Sequence, residues 1–149
     1  MPKPAEPLAR LYQATVLEHS RQPHNFRRME RPDRQATGNN PLCGDQVTLF
    51  LREADGVVAD ISFDACGCAI SLASSSMLTD LVRGLPPAEV QRLAREVAAA
   101  FNSPDGNLPG DLAALAGVRN YPARVRCATL PWRTLGAALE SSPSPVSTE

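Results

Sequence analysis

Four cysteines are the residues of this 149-residue chain whose types and spacing best suit chemistry. They stand at positions 43, 66, 68 and 127, and Asp45 follows the first of them by two residues. Cys43, Cys68 and Cys127 with Asp45 would offer three thiolates and one carboxylate. Such a donor set suits a tetrahedral Zn²⁺ ion, and thiolates also hold iron-sulfur clusters. The first hypothesis is therefore a metal site.

Two other readings of these cysteines start from the same residues. The cysteines at positions 43, 68 and 127 lack the paired C-x-x-C spacing of zinc fingers. They could equally be small buried apolar residues, and Asp45 could simply close a turn. A disulfide framework is disfavoured, because the sequence shows no apolar secretory signal and no apolar run of about 20 residues. We therefore expect a cytoplasmic protein without a membrane span, in which thiols stay reduced.

Composition removes two further classes of function. The formal net charge is -1, and no segment alternates basic with aromatic residues, so nucleic acid is not an expected partner. Lys3 is the only lysine, in a segment rich in proline. A Schiff-base enzyme needs a buried lysine, so pyridoxal-phosphate chemistry would have to come from another chain.

Hydrophobic spacing predicts the elements that must position the cysteines. An amphipathic helix is predicted over residues 7–20, and residues 21–40 are predicted to be an extended loop that leads to Cys43. Alternating residues 47–52 and the β-branched run 57–63 predict two antiparallel strands joined by a hairpin. Helices are predicted over 69–82, 88–101 and 111–116, with a last one ending near 139.

These elements predict one α+β domain over residues 1–140, followed by a disordered Ser/Pro-rich tail over 141–149. The expected architecture is a small antiparallel sheet, of three strands, with helices packed on one face and the metal site at one end. The three candidate cysteines all stand at junctions between elements, where the backbone can converge on one point.

The sequence segments around the cysteines resemble those of a known protein family. Asn-Pro-Leu-Cys-Gly-Asp at 40–45, Gly-Cys-Ala-Ile-Ser-Leu-Ala-Ser at 67–74 and Arg-Val-Arg-Cys-Ala-Thr-Leu-Pro-Trp at 124–132 resemble the signature segments of the IscU/NifU/SufU family. The resemblance runs from about residue 8 to residue 139. It implies an IscU/SufU-like fold and a role in iron-sulfur cluster assembly, with Cys43, Asp45, Cys68 and Cys127 as metal ligands.

Within that family the chain looks most like the SufU branch. IscU-type chains place a histidine just before the third cysteine, where this chain has Arg126, and the additional region 85–110 also resembles SufU. By resemblance, SufU-like proteins use Zn²⁺ and accept persulfide sulfur from a pyridoxal-phosphate-dependent (PLP-dependent) cysteine desulfurase, here a SufS-like partner. Cys43, on the looser segment beside Asp45, is the expected sulfur acceptor. Whether the chain is itself an enzyme, a zinc-dependent sulfurtransferase, is left open.

The runner-up hypothesis is a scaffold on which a [2Fe-2S] cluster, or iron, is held by Cys43, Cys68 and Cys127 and passed to cluster-receiving proteins. A third is a structural zinc domain that only docks other proteins. Metal content separates them, since a zinc-loaded chain is colourless and a cluster holder is brown.

Five further residues receive individual interpretations. A cation near thiolates lowers their pKa, so Arg124 and Arg126 are candidates for electrostatic support, with a solvated surface pair as the alternative. Cys66 is a spare ligand, a redox partner or an inert small residue. His19 and His24 are not expected to bind metal, because neither adjoins a ligand cysteine in sequence.

Overall fold

A meandering antiparallel sheet forms the centre of the molecule. The computed structural model describes residues 14–140 and the backbone of Val146–Ser147. Strands β1 (Arg34–Asn40), β2 (Asp45–Ala54) and β3 (Val57–Cys66) pair in sequence order, and β4 (Val146–Ser147) adds a short parallel pairing to β1. The predicted α+β fold with a three-stranded antiparallel sheet is confirmed. The β2–β3 hairpin turns at Asp55 and Gly56, whose positive φ angles of 54° and 78° suit a tight hairpin turn.

The helices follow the predicted order. They are α1 (Ala14–Arg21), α2 (Ala69–Val82), α3 (Pro87–Phe101), a 3₁₀ helix (Gly110–Asn120) and α4 (Pro122–Leu139). Helices α3 and α4 both begin with proline, which is favourable where no intrahelical N–H bond is needed. The predicted start of the first helix at residue 7 lies outside the described residues. So does the tail, apart from the backbone of Val146–Ser147.

Strand β1 corrects the prediction that residues 21–40 are a single loop. Its inward side chains are small or polar, at Ala36, Gly38 and Asn40, so the sequence lacks the apolar alternation of a half-buried strand. The physical reason is the close approach of α4. A side chain at position 38 would overlap the Thr134 hydroxyl and come within 3.0 Å of Leu130 Cδ1.

The hydrophobic core lies between the inner face of the sheet and the helices, and hydrogen bonds set the relation of α2 to α4. The Trp132 indole N–H donates to Ser74 Oγ at 3.2 Å, and the Ser74 hydroxyl donates to the carbonyl of Ala128 at 2.6 Å. All three residues are buried. These bonds hold the second turn of α2 beside the middle of α4, and so bring Cys68 towards Cys127.

None of the helices in the described part of the chain is both long and apolar enough to cross a membrane.

Candidate metal centre

The end of the β1–β2 ladder places a carboxylate and an amide side by side. Asn40 and Asp45 are the last cross-strand pair, and each is only 1% exposed. Residues 41–44 form the turn between them, closed by hydrogen bonds from the Cys43 and Gly44 N–H groups to the Asn40 carbonyl at 3.2 and 2.8 Å. Gly44 has a φ of +72°, which a residue without a side chain adopts easily. Cys43 is therefore presented on a tight turn above Asp45.

The junction from β3 to α2 is shaped around the same carboxylate. The Cys68 N–H donates to Asp45 Oδ1 at 2.8 Å. Gly67 has a φ of +148°, and a side chain there would overlap Asp45 Oδ1 and lie 2.9 Å from the Asp45 Cα. Only glycine lets the chain pass this close to Asp45. The residue thus positions both Asp45 and the first residue before α2.

All four residues predicted as metal ligands lie together at this end of the sheet. The sulfur atoms of Cys43 and Cys127 are 3.5 Å apart, and Cys68 Sγ lies 3.8 Å from Asp45 Oδ2. The ligand atoms of Cys43, Asp45 and Cys127 all lie within 4.8 Å of one another. Cys127 is fully buried in α4, while Cys43 and Cys68 are half-buried. The arrangement gathers three thiols and one carboxylate.

The buried carboxylate of Asp45 fits a bound cation. A charge removed from water is costly unless it is paired or held by a metal. Within residues 14–140, Asp45 forms no ion pair with a basic side chain. Three thiols and one carboxylate are also a donor set that Zn²⁺ accepts in a tetrahedral site. The residues present therefore fit a Zn²⁺ ion.

Asn40 is a residue of this site that sequence reasoning did not assign. Its Nδ2 group lies 3.5 Å from Asp45 Oδ2 and 3.6 Å from Cys127 Sγ, and its buried Oδ1 has no hydrogen-bond partner among the described residues. Its place in the first cysteine segment was the available signal. Its role depends on strand β1, which places Asn40 opposite Asp45.

The contact between Cys68 and Cys127 shifts the pKa values of the two thiols in opposite directions. A hydrogen bond with Cys127 lowers the pKa of Cys68 to about 7, aided by the N–H groups of Ser71 and Ile70 in the first turn of α2, although burial and the charge of Asp45 oppose this. The same contact, together with burial and the neighbouring Asp45, raises the pKa of Cys127 far above the ordinary thiol range. Of these two thiols, Cys68 is therefore the one that loses its proton more easily.

Comparison with known proteins identifies the family. The NifU-like N terminal domain matches residues 11–128. The chain belongs to this family. The resemblance carried by the three cysteine segments is thereby confirmed.

Relatives of this NifU-like chain include proteins named IscU and proteins named SufU. It is 37% identical to the iron-sulfur cluster assembly scaffold protein IscU of Streptococcus pyogenes, over 91% of this chain and 86% of the relative. It is 32% identical to the zinc-dependent sulfurtransferase SufU of Bacillus subtilis, over 84% and 86%. A crystal structure of a nitrogen-fixing NifU-like protein from Brucella abortus superposes with a TM-score of 0.81, at 27% identity, over 92% of this chain and 99% of that one.

The remaining candidate residues lie around the NifU-like site or away from it. Arg124 is half-buried near the start of α4, and its support of the thiolates stays a prediction. Arg126 is exposed and lines a cavity of about 470 Å³ that none of the candidate ligands lines. Cys66 is exposed at the end of β3, paired in register with Gln46, and lines a different cavity of about 250 Å³. It is not among the side chains brought to the thiol cluster.

Proposed function

We propose that this chain is a zinc-dependent acceptor of persulfide sulfur from a PLP-dependent cysteine desulfurase, acting in iron-sulfur cluster assembly. The observation that carries the proposal is the buried carboxylate of Asp45 among three thiols, one of them on a turn. The name of the Bacillus subtilis relative, a zinc-dependent sulfurtransferase, supports it. A SufS-like desulfurase is the proposed donor, and cluster-receiving proteins are the proposed later partners.

Cys43, Asp45, Cys68 and Cys127 are the residues that would hold the ion. Zn²⁺, when bound, would keep the three thiols deprotonated and neutralise part of the charge that they and Asp45 collect. Asn40 Nδ2, within 3.6 Å of both Asp45 and Cys127, would donate to these anionic ligands and keep them in place. Arg124 would add positive potential from the start of α4.

Cys43 is the proposed acceptor, because it lies on a turn, whereas Cys127 lies inside α4 and the Cys68 N–H is bonded to Asp45. It lies on the 41–44 turn and is half-buried, and its neighbour Leu42 is 60% exposed. Its thiolate attacks the outer sulfur of the persulfide on the desulfurase, a new S–S bond forms on Cys43, and the desulfurase cysteine leaves as a thiolate. This exchange needs no external oxidant or reductant, since a sulfur-sulfur bond is broken and another is formed.

The proposal is tested by locating the transferred sulfur. The chain is mixed with a cysteine desulfurase and cysteine, trapped with an alkylating agent and mapped by mass spectrometry, with Cys66→Ala as the matched cysteine control. The persulfide is expected on Cys43, and Cys43→Ala should abolish the stimulation of desulfurase turnover while Cys66→Ala keeps it. A persulfide mainly on Cys127 or Cys66, or a Cys43→Ala chain that still accelerates the desulfurase, would refute the assignment.

A second candidate function is a scaffold for a [2Fe-2S] cluster held by Cys43, Cys68 and Cys127. The 37% identity to a relative named as a scaffold protein favours it. The presence of Arg126 before Cys127 favours the zinc proposal, since a histidine ligand is missing at that position. Elemental analysis distinguishes the two: close to one zinc per chain and no colour supports the acceptor, and iron with sulfide in a brown protein supports the scaffold.

A further inference from the structure

The two histidines of the chain lie beside a carboxylate, in a cluster that contains none of the candidate cysteine ligands. One ring nitrogen of His19, one of His24 and a carboxylate oxygen of Asp80 all lie within 4.8 Å of one another. The two imidazole rings have centroids 4.6 Å apart and planes inclined at 49°. From this cluster we propose a second metal site, for a divalent ion of the Zn²⁺ class held by nitrogen and oxygen donors.

A fourth potential donor lies beside His19. Asp111, in the first turn of the 3₁₀ helix, has its Oδ2 atom 2.9 Å from His19 Nε2. Asp80 Oδ2 in turn lies 2.6 Å from His24 Nδ1. Two imidazoles and two carboxylates would give the four ligands of a tetrahedral Zn²⁺ ion once Asp111 turns towards the other three residues. The two carboxylate charges would balance a divalent ion. The absence of sulfur separates this site chemically from the thiol cluster.

His19 is already oriented as a ligand. Its side chain is 4% exposed, and Nδ1 is 2.7 Å from the hydroxyl of Ser76, which also accepts the backbone N–H of His24 at 2.8 Å. Without an ion, Nε2–H donates to Asp111; a bound ion would displace that proton to solvent and take the Nε2 lone pair, while Nδ1–H donates to Ser76. Metal-binding histidines usually hold their second N–H in this way, which fixes the ring and its tautomer. Ser76 is therefore a positioning residue for the site.

An ion would require the ligand side chains to rotate slightly, and the exposed ones have room to do so. Metal-ligand bonds of about 2.0–2.1 Å place tetrahedral ligand atoms roughly 3.3 Å apart. Asp80 and Asp111 are 45% and 61% exposed and His24 is 46% exposed, so these three can rotate around the fixed His19. The ion would join α1, the loop after it, α2 and the 3₁₀ helix. Its binding is independent of the proposed sulfur chemistry.

Only two histidines occur in the chain, which makes the test direct. The thiol site is first saturated with Zn²⁺, and the imidazole signals are then followed by ¹H-¹⁵N NMR during further Zn²⁺ addition. Both rings are expected to shift together with one additional equivalent, and His19 is expected to become the tautomer protonated at Nδ1. Two unresponsive rings, or a response of His24 alone, would overturn the proposal.

Variants of exposed residues separate a built site from general surface binding. His24→Asn and Asp80→Asn should each weaken the second equivalent at least about tenfold, while the zinc on the thiol site is unchanged. The matched control is Asp64→Asn, which removes a carboxylate of similar exposure, 41%, that is paired with Arg28 on the sheet. It should leave both equivalents intact. Equal weakening by all three variants, or none, would contradict the site.

Discussion

Two regions of the molecule, the 41–44 turn and helix α4, present thiols only 3.5 Å apart but hold them in opposite ways. Cys43 is half-buried on a turn closed by hydrogen bonds to a single carbonyl, that of Asn40. Cys127 is fully buried in an 18-residue helix that packs on α2, α3 and the sheet. A sulfur acceptor has to leave its place to react, whereas an anchoring ligand has to stay. This contrast supports the proposed roles, with Cys43 as the acceptor and Cys127 as an anchoring ligand.

The anchoring side also includes Cys68. It precedes α2, its N–H is bonded to Asp45, and Gly67 fits against the same carboxylate without space for a side chain. Removing an anchor should therefore affect metal and fold together, while removing the turn cysteine should affect mainly the reaction. The predictions below test this division.

The largest effect is expected from Cys127→Ser in the zinc-loaded chain. It removes a ligand that ties α4 to the sheet, and we expect loss of zinc and of at least about 3 kcal/mol in the free energy of unfolding. For a domain of this size that lowers the Tm by about 6–12 °C. Calorimetry with elemental analysis measures both. Cys43→Ser is the matched control and should lower the Tm by less than half as much.

If the metal-free wild type melts at the same temperature as the zinc-loaded chain, the metal does not stabilise the fold. The anchoring role of Cys127 would then be wrong, even if the site binds zinc.

A smaller effect is expected from Gly67→Ala, which tests whether the shape of the junction matters apart from any ligand. The added methyl group would overlap Asp45 Oδ1 in a backbone conformation, φ +148°, that alanine adopts only with strain. Gly84→Ala provides the control, since Gly84 also has a positive φ, +91°, but no atom within 4 Å of the added methyl group. Both variants should lose about 1 kcal/mol from backbone strain. Only Gly67→Ala should also lose zinc, by displacing the carboxylate.

Equal zinc content in the two glycine variants would mean that Asp45 does not need the position it has here. A ligand role for the carboxylate would then lose its support.

The two regions also differ in how well the sequence predicts them. Helix α2 and the β2–β3 hairpin have clear periodicity, so the segment that carries Cys68 was predicted with its bounds almost as observed. Strand β1 was missed because its inward positions, Ala36, Gly38 and Asn40, are dictated by contact with α4 rather than by apolar alternation. The convergence of the cysteines was expected from junction positions, which is correct for Cys43 and Cys68 but wrong for Cys127, because Cys127 lies inside α4. The contribution of Asn40 depends on strand register, which local patterns did not contain.

The smallest effect is expected at Cys66, whose role the sequence left open. It is exposed at the end of β3 and lines a cavity with Thr48 and Asp64, apart from the thiol cluster. An exposed substitution without a packing role changes stability by no more than about 0.5 kcal/mol, or roughly 1–2 °C in Tm for a domain of this size. Cys66→Ala should therefore keep zinc content, Tm and desulfurase stimulation near those of the wild type.

Measured beside Cys43→Ala, the Cys66→Ala variant has three informative outcomes. Unchanged zinc and unchanged sulfur transfer identify Cys66 as an inert residue, as its exposure and its place outside the thiol cluster lead us to expect. Loss of zinc would make it a ligand, and would require the end of β3 to turn inwards past Gly67. Normal zinc with slow formation of the Cys43 persulfide would make Cys66 a relay that receives sulfur first, and Cys43 on the 41–44 turn would then be the second acceptor and not the first.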